Sequence, residues 1–214
     1  MIGVLGGTFD PVHHGHLRLA LEIHERLGLQ EVRLMLAARP PHRAAPTVSP
    51  DLRLAMLQAA VAGVPGLRVD DRELRRPGPS YMVDTLQSLR DEELGTQQPL
   101  CLLLGMDAFL GLSRWHRWER LIELAHLVVV QRLQPDLSMT DTMQQFLQTH
   151  RVDTVQRLRD RPAGAVWIQP IPTLMISATE IRHQLAQGAH PHYLLPPAVL
   201  AMIQDHQLYR PIVT

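Results

Sequence analysis

The chain has 214 residues, 45% of them hydrophobic, with 21 Lys and Arg against 21 Asp and Glu and a single cysteine. Such a length and apolar content close one substantial core and exclude a disordered chain, while the even charge excludes an overall field that would draw nucleic acid or an anionic membrane, so any anion binding has to be local. Cys101, inside the apolar run LCLLLG, excludes a disulfide framework and a cysteine-built zinc site and reads as a small core residue.

The opening MIGVLGG has neither the basic flank nor the long apolar stretch of a signal peptide, and no window reaches the roughly 18 apolar residues of a membrane span. A soluble cytoplasmic protein is expected. Ile2 to Leu5 reads as a first strand, running into the glycines Gly6 and Gly7. Leu17, Ala20, Leu21 and Leu27 form a helical stripe behind it, and Val32 to Leu36 a second strand. Residues 36–50, LAARPPHRAAPTVSP, hold four prolines, no periodicity and the basic-capable Arg39, His42 and Arg43. Structureless stretches of that length are commonly functional.

Ser49 is placed to cap a helix with Pro50 at its first position, carrying the stripe Leu52, Ala55, Met56, Ala59 and Ala60. Leu67 to Val69 follows as a strand, then a helix after Ser80 through Met82, Leu86 and Leu89. Leu100 to Leu104, Leu127 to Val130 and Val166 to Ile168 are three more strands, with the polar stretch 134–162 read as one surface helix between the last two. The runs are nearly continuous rather than alternating, as in strands covered on both faces. Strand and helix alternating throughout predict an α/β fold: a doubly wound, Rossmann-like parallel sheet with helices on both faces, forming one domain over residues 1–214 with a C-terminal helical part at about 177–210 packed on it. Such sheets bind ligands at the carboxyl ends of their strands.

At the first of those ends stands GGTFDPVHHGH. Three readings compete for its histidines. His13 and His16 are three apart, an acceptable ligand spacing, but no second matching pair completes a metal clamp. A histidine-rich turn is the bland alternative, with Gly6 and Gly7 supplying the backbone freedom. The third is an anion site: a helix starting near Gly15 presents N–H groups and a positive dipole end, and imidazoles beside it add donors that can carry charge. The glycines fall at 3, 6 and 7, so neither the dinucleotide fingerprint nor a Walker loop is present.

Far along the chain, ISATEIR repeats the theme. Ser177 and Glu180 have the spacing of a capping box, which begins ordinary helices, but Thr179 and Arg182, three apart, put a hydroxyl and a guanidinium on one side of the helix start. Two such helix starts and a basic proline loop suggest a ligand with several phosphates, a nucleoside triphosphate.

Together these segments resemble the nucleotidyltransferase superfamily with its HxGH and ISxTxxR motifs. PPHR, DRELRRPGPSYMVDTL, LLLGMDAF, RWHRWE and LLPPAVLAMIQDHQLYR resemble in order the bacterial nicotinate-nucleotide adenylyltransferase family, so that the likeness runs from residue 2 to about 210.

The resemblance implies adenylyl transfer from ATP to nicotinate mononucleotide, giving nicotinate adenine dinucleotide (deamido-NAD) and pyrophosphate in NAD biosynthesis. The attacking phosphate is largely ionised at neutral pH, so alignment and charge neutralisation matter more than a strong base. It implies His13, His16 and Arg182 as catalytic, His16 acting on the α-phosphoryl transition state. ATP phosphates would lie against Gly6, Gly7, Thr8, Phe9, Ile176, Ser177 and Thr179, with Arg39 and His42 or Arg43 over them, and Mg²⁺ arriving on ATP rather than in a protein cage. Tyr81, Met82, Thr85, Gly105, Asp107, Trp115 and His116 would form the mononucleotide side, Trp115 stacking on the pyridine ring and Asp107 binding a ribose hydroxyl. Trp118 reads as helix packing.

The family's SYT is SYM here, so no hydroxyl acts at Met82, and the backbone N–H of Met82 or His116 is the expected reader of the nicotinate carboxylate. The expected partners are the two small substrates, with no nucleic acid and no membrane, and a homo-oligomer is left open. The alternatives are the amide mononucleotide or phosphopantetheine as acceptor, or a catalytically silent nucleotide-binding module.

Overall fold

The computed structural model describes residues 1–40, 46–131, 139–172 and 174–210. Six strands, β1 (Ile2–Gly7), β2 (Glu31–Leu36), β3 (Leu67–Asp70), β4 (Leu100–Gly105), β5 (His126–Gln131) and β6 (Val166–Pro170), form one sheet in the order β3-β2-β1-β4-β5-β6. All neighbours pair in parallel. Each apolar run in the sequence is a strand, and the direction of winding reverses between β1 and β4.

The helices are α1 (His14–Leu27), α2 (Pro50–Val61), α3 (Arg72–Arg75), α4 (Met82–Leu89), α5 (Met106–Leu110), α6 (Leu121–Leu124), α7 (Asp141–His150), α8 (Gln156–Arg159), α9 (Ala178–Ala186) and α10 (Pro197–Asp205). They cover the sheet on two sides. Leu5, Leu34, Leu103 and Val128 face α1, α2, α9 and α10 through Ile23, Met56, Ile181 and Val199. Val4, Met35, Leu102 and Val129 face α4, α5, α6 and α7 through Leu86, Phe109, Leu121 and Met143. Because successive strand residues point to opposite faces, two covered faces favour apolar residues at successive positions, and a polar residue such as Arg33 is buried there only with partners, Glu31, Asp70 and Glu93. Each fully buried aliphatic contributes about 1.5–3 kcal/mol. Cys101 is buried among them, its thiol pushed up to about 12 by burial.

Ser49 caps α2 as its position predicts, its hydroxyl accepting from Leu52 N–H at 3.4 Å, with Pro50 first in the helix. The buried face of α2 is turned from the expected stripe: Arg53, Met56, Leu57, Ala60 and Val61 are inside, while Leu52, Ala55 and Ala59 are only partly covered. The stretch 134–162 is not one helix. Its described part forms α7 and α8, anchored by Met143 and Leu158 on opposite faces of the sheet, with Arg151 bridging to Val166 between them. Ser177 stands at the N-cap of α9 with extended backbone but makes no capping bond, and Glu180 accepts from Gln184 Nε2 at 3.2 Å. The capping box read from the spacing is therefore not formed, because the glutamate bonds forward along the helix. Among the described residues no helix is long and apolar enough to cross a membrane.

Candidate active site

The exit of β1 makes one wall. Phe9 turns the chain at φ 47°, and its buried ring folds back over Gly7 and meets His16 edge-on with centroids 5.0 Å apart. Any contact of Phe9 with a phosphate thus falls to its backbone. His13 is the N-cap of α1, and its ring stacks on that of His16 at 3.7 Å and 24°. A metal shared by both lone pairs must lie in both ring planes, which face-to-face stacking at that spacing prevents. Gly15 makes the stack possible: a Cβ there would sit 3.0 Å from Cε1 and Nδ1 of His13.

His13 is 5% exposed, and its Nδ1 has no hydrogen-bond partner among the described residues. Burial, with the neighbouring His14 adding to it, lowers its pKa to about 4. The expectation of a chargeable imidazole is corrected here, since His13 is neutral at pH 7 and offers ring nitrogens without charge. The helix start is also less open than its position suggests. The His14 N–H donates to Leu194 O at 2.9 Å and the His16 N–H to His13 O at 3.0 Å, so these two donors of the helix start are taken.

The distant motif comes to the same place. Arg182 donates from Nη1 to Asp10 O at 2.7 Å and from Nη2 to Thr179 Oγ1 at 3.4 Å, and Ile176 lies against Gly15. Ser177 and Thr179 are exposed beside it. Arg39, just past β2, donates its N–H to Ser80 Oγ at 3.0 Å and Nη1 to Arg76 O at 3.2 Å. His42 and Arg43 lie outside the described residues.

Across the winding reversal, the start of α4 and the segment after α5 meet through Tyr81 and His116, whose rings stack at 4.2 Å and 30°. Trp115 is half-buried beside them in sequence and packs on the α4 side of the core. Trp118 packs edge-on to Phe146 at 5.1 Å, as its helix-packing reading expects. Gly105 and the exposed Asp107 stand at the end of β4, with open space above the glycine. Met82 reaches β1: a Cβ on Gly6 would overlap its methyl group. Thr85 departs from expectation. It is 0% exposed, its hydroxyl donating to the Glu73 carboxylate and accepting from Arg76 Nη2 at 3.2 Å. It supports the turn at Tyr81 from beneath, also bonding to Tyr81 O at 3.2 Å, and its buried hydroxyl takes its partners from the protein.

A family model described as cytidylyltransferase-like matches residues 4–184. A protein of Pseudomonas syringae pv. tomato named "Probable nicotinate-nucleotide adenylyltransferase" is 53% identical over 212 residues, covering 98% of this chain and 93% of its own. One of the same name from Methylococcus capsulatus is 47% identical over 210 residues, covering 98% and 99%. The chain belongs to the nicotinate-nucleotide adenylyltransferase family. In fold it is similar to Plasmodium falciparum nicotinic acid mononucleotide adenylyltransferase complexed with NaAD, with a TM-score of 0.74 at 15% identity over 97% of this chain and 96% of that one. The same enzyme complexed with APC gives a TM-score of 0.71.

In this family member, three supporting residues escape a reading of the sequence. Arg76 joins Arg39, Tyr81 and Thr85 through its carbonyl and guanidinium. Tyr209 donates to the Asp10 carboxylate, and Arg53 fills the buried face of α2. Only Arg53 left a local signal, a charge one turn before Met56 and Leu57 on what is otherwise an apolar face.

Proposed function

We infer that this chain transfers the adenylyl group of ATP to nicotinate mononucleotide, releasing pyrophosphate and giving nicotinate adenine dinucleotide for NAD biosynthesis. The observation that carries the reading is the bond from Arg182 to Asp10 O at 2.7 Å, which brings the two polyanion-seeking segments onto one corner in a chain about half identical to relatives of that name.

An oxygen of the mononucleotide's phosphate attacks the α-phosphorus of ATP, and the bond from that phosphorus to the β-bridging oxygen breaks. The attacking group is already an anion, so catalysis consists of alignment and of stabilising charge on the α-phosphoryl and the leaving pyrophosphate. His16 donates to the α-phosphoryl, with the His13 ring fixing its orientation from behind. Arg182, Thr179 and Ser177 hold the leaving phosphates, and Ser177 has its hydroxyl for this because it makes no capping bond. Arg39 lies on the phosphate side. Mg²⁺ enters as part of the ATP complex, held by phosphate oxygens and waters.

The mononucleotide occupies the β4 side, with its pyridine ring against Trp115 near the Tyr81–His116 stack and its ribose at Asp107. A backbone N–H of Met82 or His116 reads the carboxylate. Pyrophosphate release, followed with ATP and nicotinate mononucleotide, nicotinamide mononucleotide or phosphopantetheine in turn, tests the assignment. The acid should exceed the other two by about tenfold or more in kcat/KM. Faster release with either competitor, or ATP binding without release, would overturn it.

A further inference from the structure

Arg53 carries a charge with 0% of its surface exposed, and it takes no part in the chemistry above. Its guanidinium is bonded along three sides to main-chain carbonyls. Nη1 donates to Thr8 O at 2.7 Å and Ala37 O at 2.9 Å, Nη2 to Ala38 O at 3.1 Å, and Nε to Val48 O at 3.1 Å. Thr8 lies just beyond β1, Ala37 and Ala38 just beyond β2, and Val48 just before the cap of α2. The β1–β2 ladder closes with Ala37 N–H on Gly7 O at 2.9 Å. Past that rung the strands separate, and their buried carbonyls need donors from elsewhere. A planar guanidinium, with five N–H groups in fixed directions, can serve several diverging carbonyls at once, whereas an ammonium acts as a point charge with three donors. The Asp10 carboxylate steadies its charge against the cost of burial.

The segments it joins are those that bear the phosphate-side residues. Thr8 leads to Phe9, Asp10 and the His13–His16 stack, and Ala38 is followed directly by Arg39. We propose that Arg53 is a positioning residue for ATP, fixing the separation between the histidine corner and Arg39 by holding the exits of β1 and β2 and the entry of α2 together. The inference rests on the adenylyltransferase reading.

The same molecule supplies a control. Arg90 is likewise buried and donates to Leu124 O, Gly95 O, Gln98 O and Pro162 O, but these carbonyls precede β4, β5 and β6, at the end of the sheet away from the site. Arg53→Lys and Arg90→Lys should both lower the melting temperature, since each leaves carbonyls unpaired. Steady-state kinetics well below the lower midpoint, with ATP and nicotinate mononucleotide varied separately, should separate them. For Arg53→Lys the KM for ATP should rise roughly tenfold with the mononucleotide KM within about twofold, a displacement of the order that misplaced groups produce. For Arg90→Lys both should keep the wild-type value. Wild-type KM values in Arg53→Lys, or equal changes in the two variants, would reduce Arg53 to a stabilising residue and overturn the proposal.

Amide exchange on the wild-type protein and the two variants gives a second readout. If Arg53 fixes the exits in advance, the amides of residues 37 and 38, which carry no phosphate contact, are protected in the free protein, gain less than about threefold from saturating ATP, and lose that protection in Arg53→Lys but not in Arg90→Lys. Strong ATP-dependent protection there would show that nucleotide, and not Arg53, sets their position. Wild-type protein that released no pyrophosphate would defeat the functional reading alone, because the exchange measurement uses ATP binding only.

Discussion

Tyr209 donates its phenolic hydroxyl to the Asp10 carboxylate at 2.6 Å, joining residues 199 positions apart. Asp10 also accepts Arg182 Nη1 on its main-chain oxygen at 2.7 Å. One residue of the β1 exit thus receives the segment after α10 on its side chain and α9 on its backbone. Burial and the adjacent carboxylate raise the Tyr209 pKa, so it remains a donor throughout the working range.

Tyr209→Phe should therefore cost about 1–3 kcal/mol, the penalty for leaving a buried carboxylate short of a donor. Asp10→Asn in the same background should recover part of it, and a double-mutant cycle by urea unfolding should give a coupling of about 1–2 kcal/mol. Strictly additive single effects would mean that the hydroxyl and the carboxylate do not bond.

Gly15→Ala separates stability from catalysis. Alanine is the better helix former by about 0.5–1 kcal/mol, and the distance from the new Cβ to Ile176 Cβ, 3.5 Å, is ordinary contact. The 3.0 Å approach to the His13 ring is not ordinary, so the ring and the His16 stacked on it have to move. The variant should keep its melting temperature within a few degrees while kcat/KM for ATP falls by roughly three- to tenfold, less than the roughly 10²-fold of a misplacement of about 1 Å because the ring need shift by only a few tenths of an ångström. Full activity would show that the place of the His13 ring is immaterial.

The six strands are legible because a sheet covered on both faces keeps its strands mostly apolar, buried Arg33 in β2 and His126 in β5 being exceptions, and the glycine-to-histidine corner because it interrupts that pattern at a strand end. The rotation of α2 is less legible. Arg53 breaks the apolar stripe, and a guanidinium paired only with main-chain carbonyls leaves no partner residue to search for. Ser177 and Glu180 have capping-box spacing without the bonds, since Gln184 offers Glu180 a competing donor one turn on. Thr85 shows the opposite limit, a hydroxyl beside site residues in sequence but beneath them in space. The Tyr209–Asp10 bond has no local signature at all, because it arises only when the sheet and α10 are assembled.

Met82→Thr tests which part of residue 82 matters to the acceptor. The Met82 side chain packs on Gly6 and not into the space above Gly105, and recognition through the backbone N–H is indifferent to it. The ratio of kcat/KM for the acid and amide mononucleotides should change by less than about threefold. A collapse of that ratio by the tenfold or more that a lost polar reader costs would assign the discrimination to the side chain.

The buried His13 gives the protein an acid-sensitive side. In the unfolded chain it titrates near its ordinary value of 6.5, but in the fold burial lowers it to about 4. Between those values the unfolded state binds more protons, so stability is fully present above about pH 6.5 and is lost as the pH falls towards 4, by about 3 kcal/mol in all. The lowered pKa of the buried His126, whose Nδ1 accepts from Ala165 N–H at 3.1 Å, acts in the same direction. His13→Gln should flatten the pH dependence of urea-unfolding free energy between pH 6.5 and 4 by close to one proton, and leave the share due to His126. A polyanion at the corner favours the charged imidazole, so ATP binding at pH 5–6 should take up protons in calorimetry across buffers of different ionisation enthalpy. That uptake should shrink in His13→Gln, and an undiminished signal would place the titrating group elsewhere.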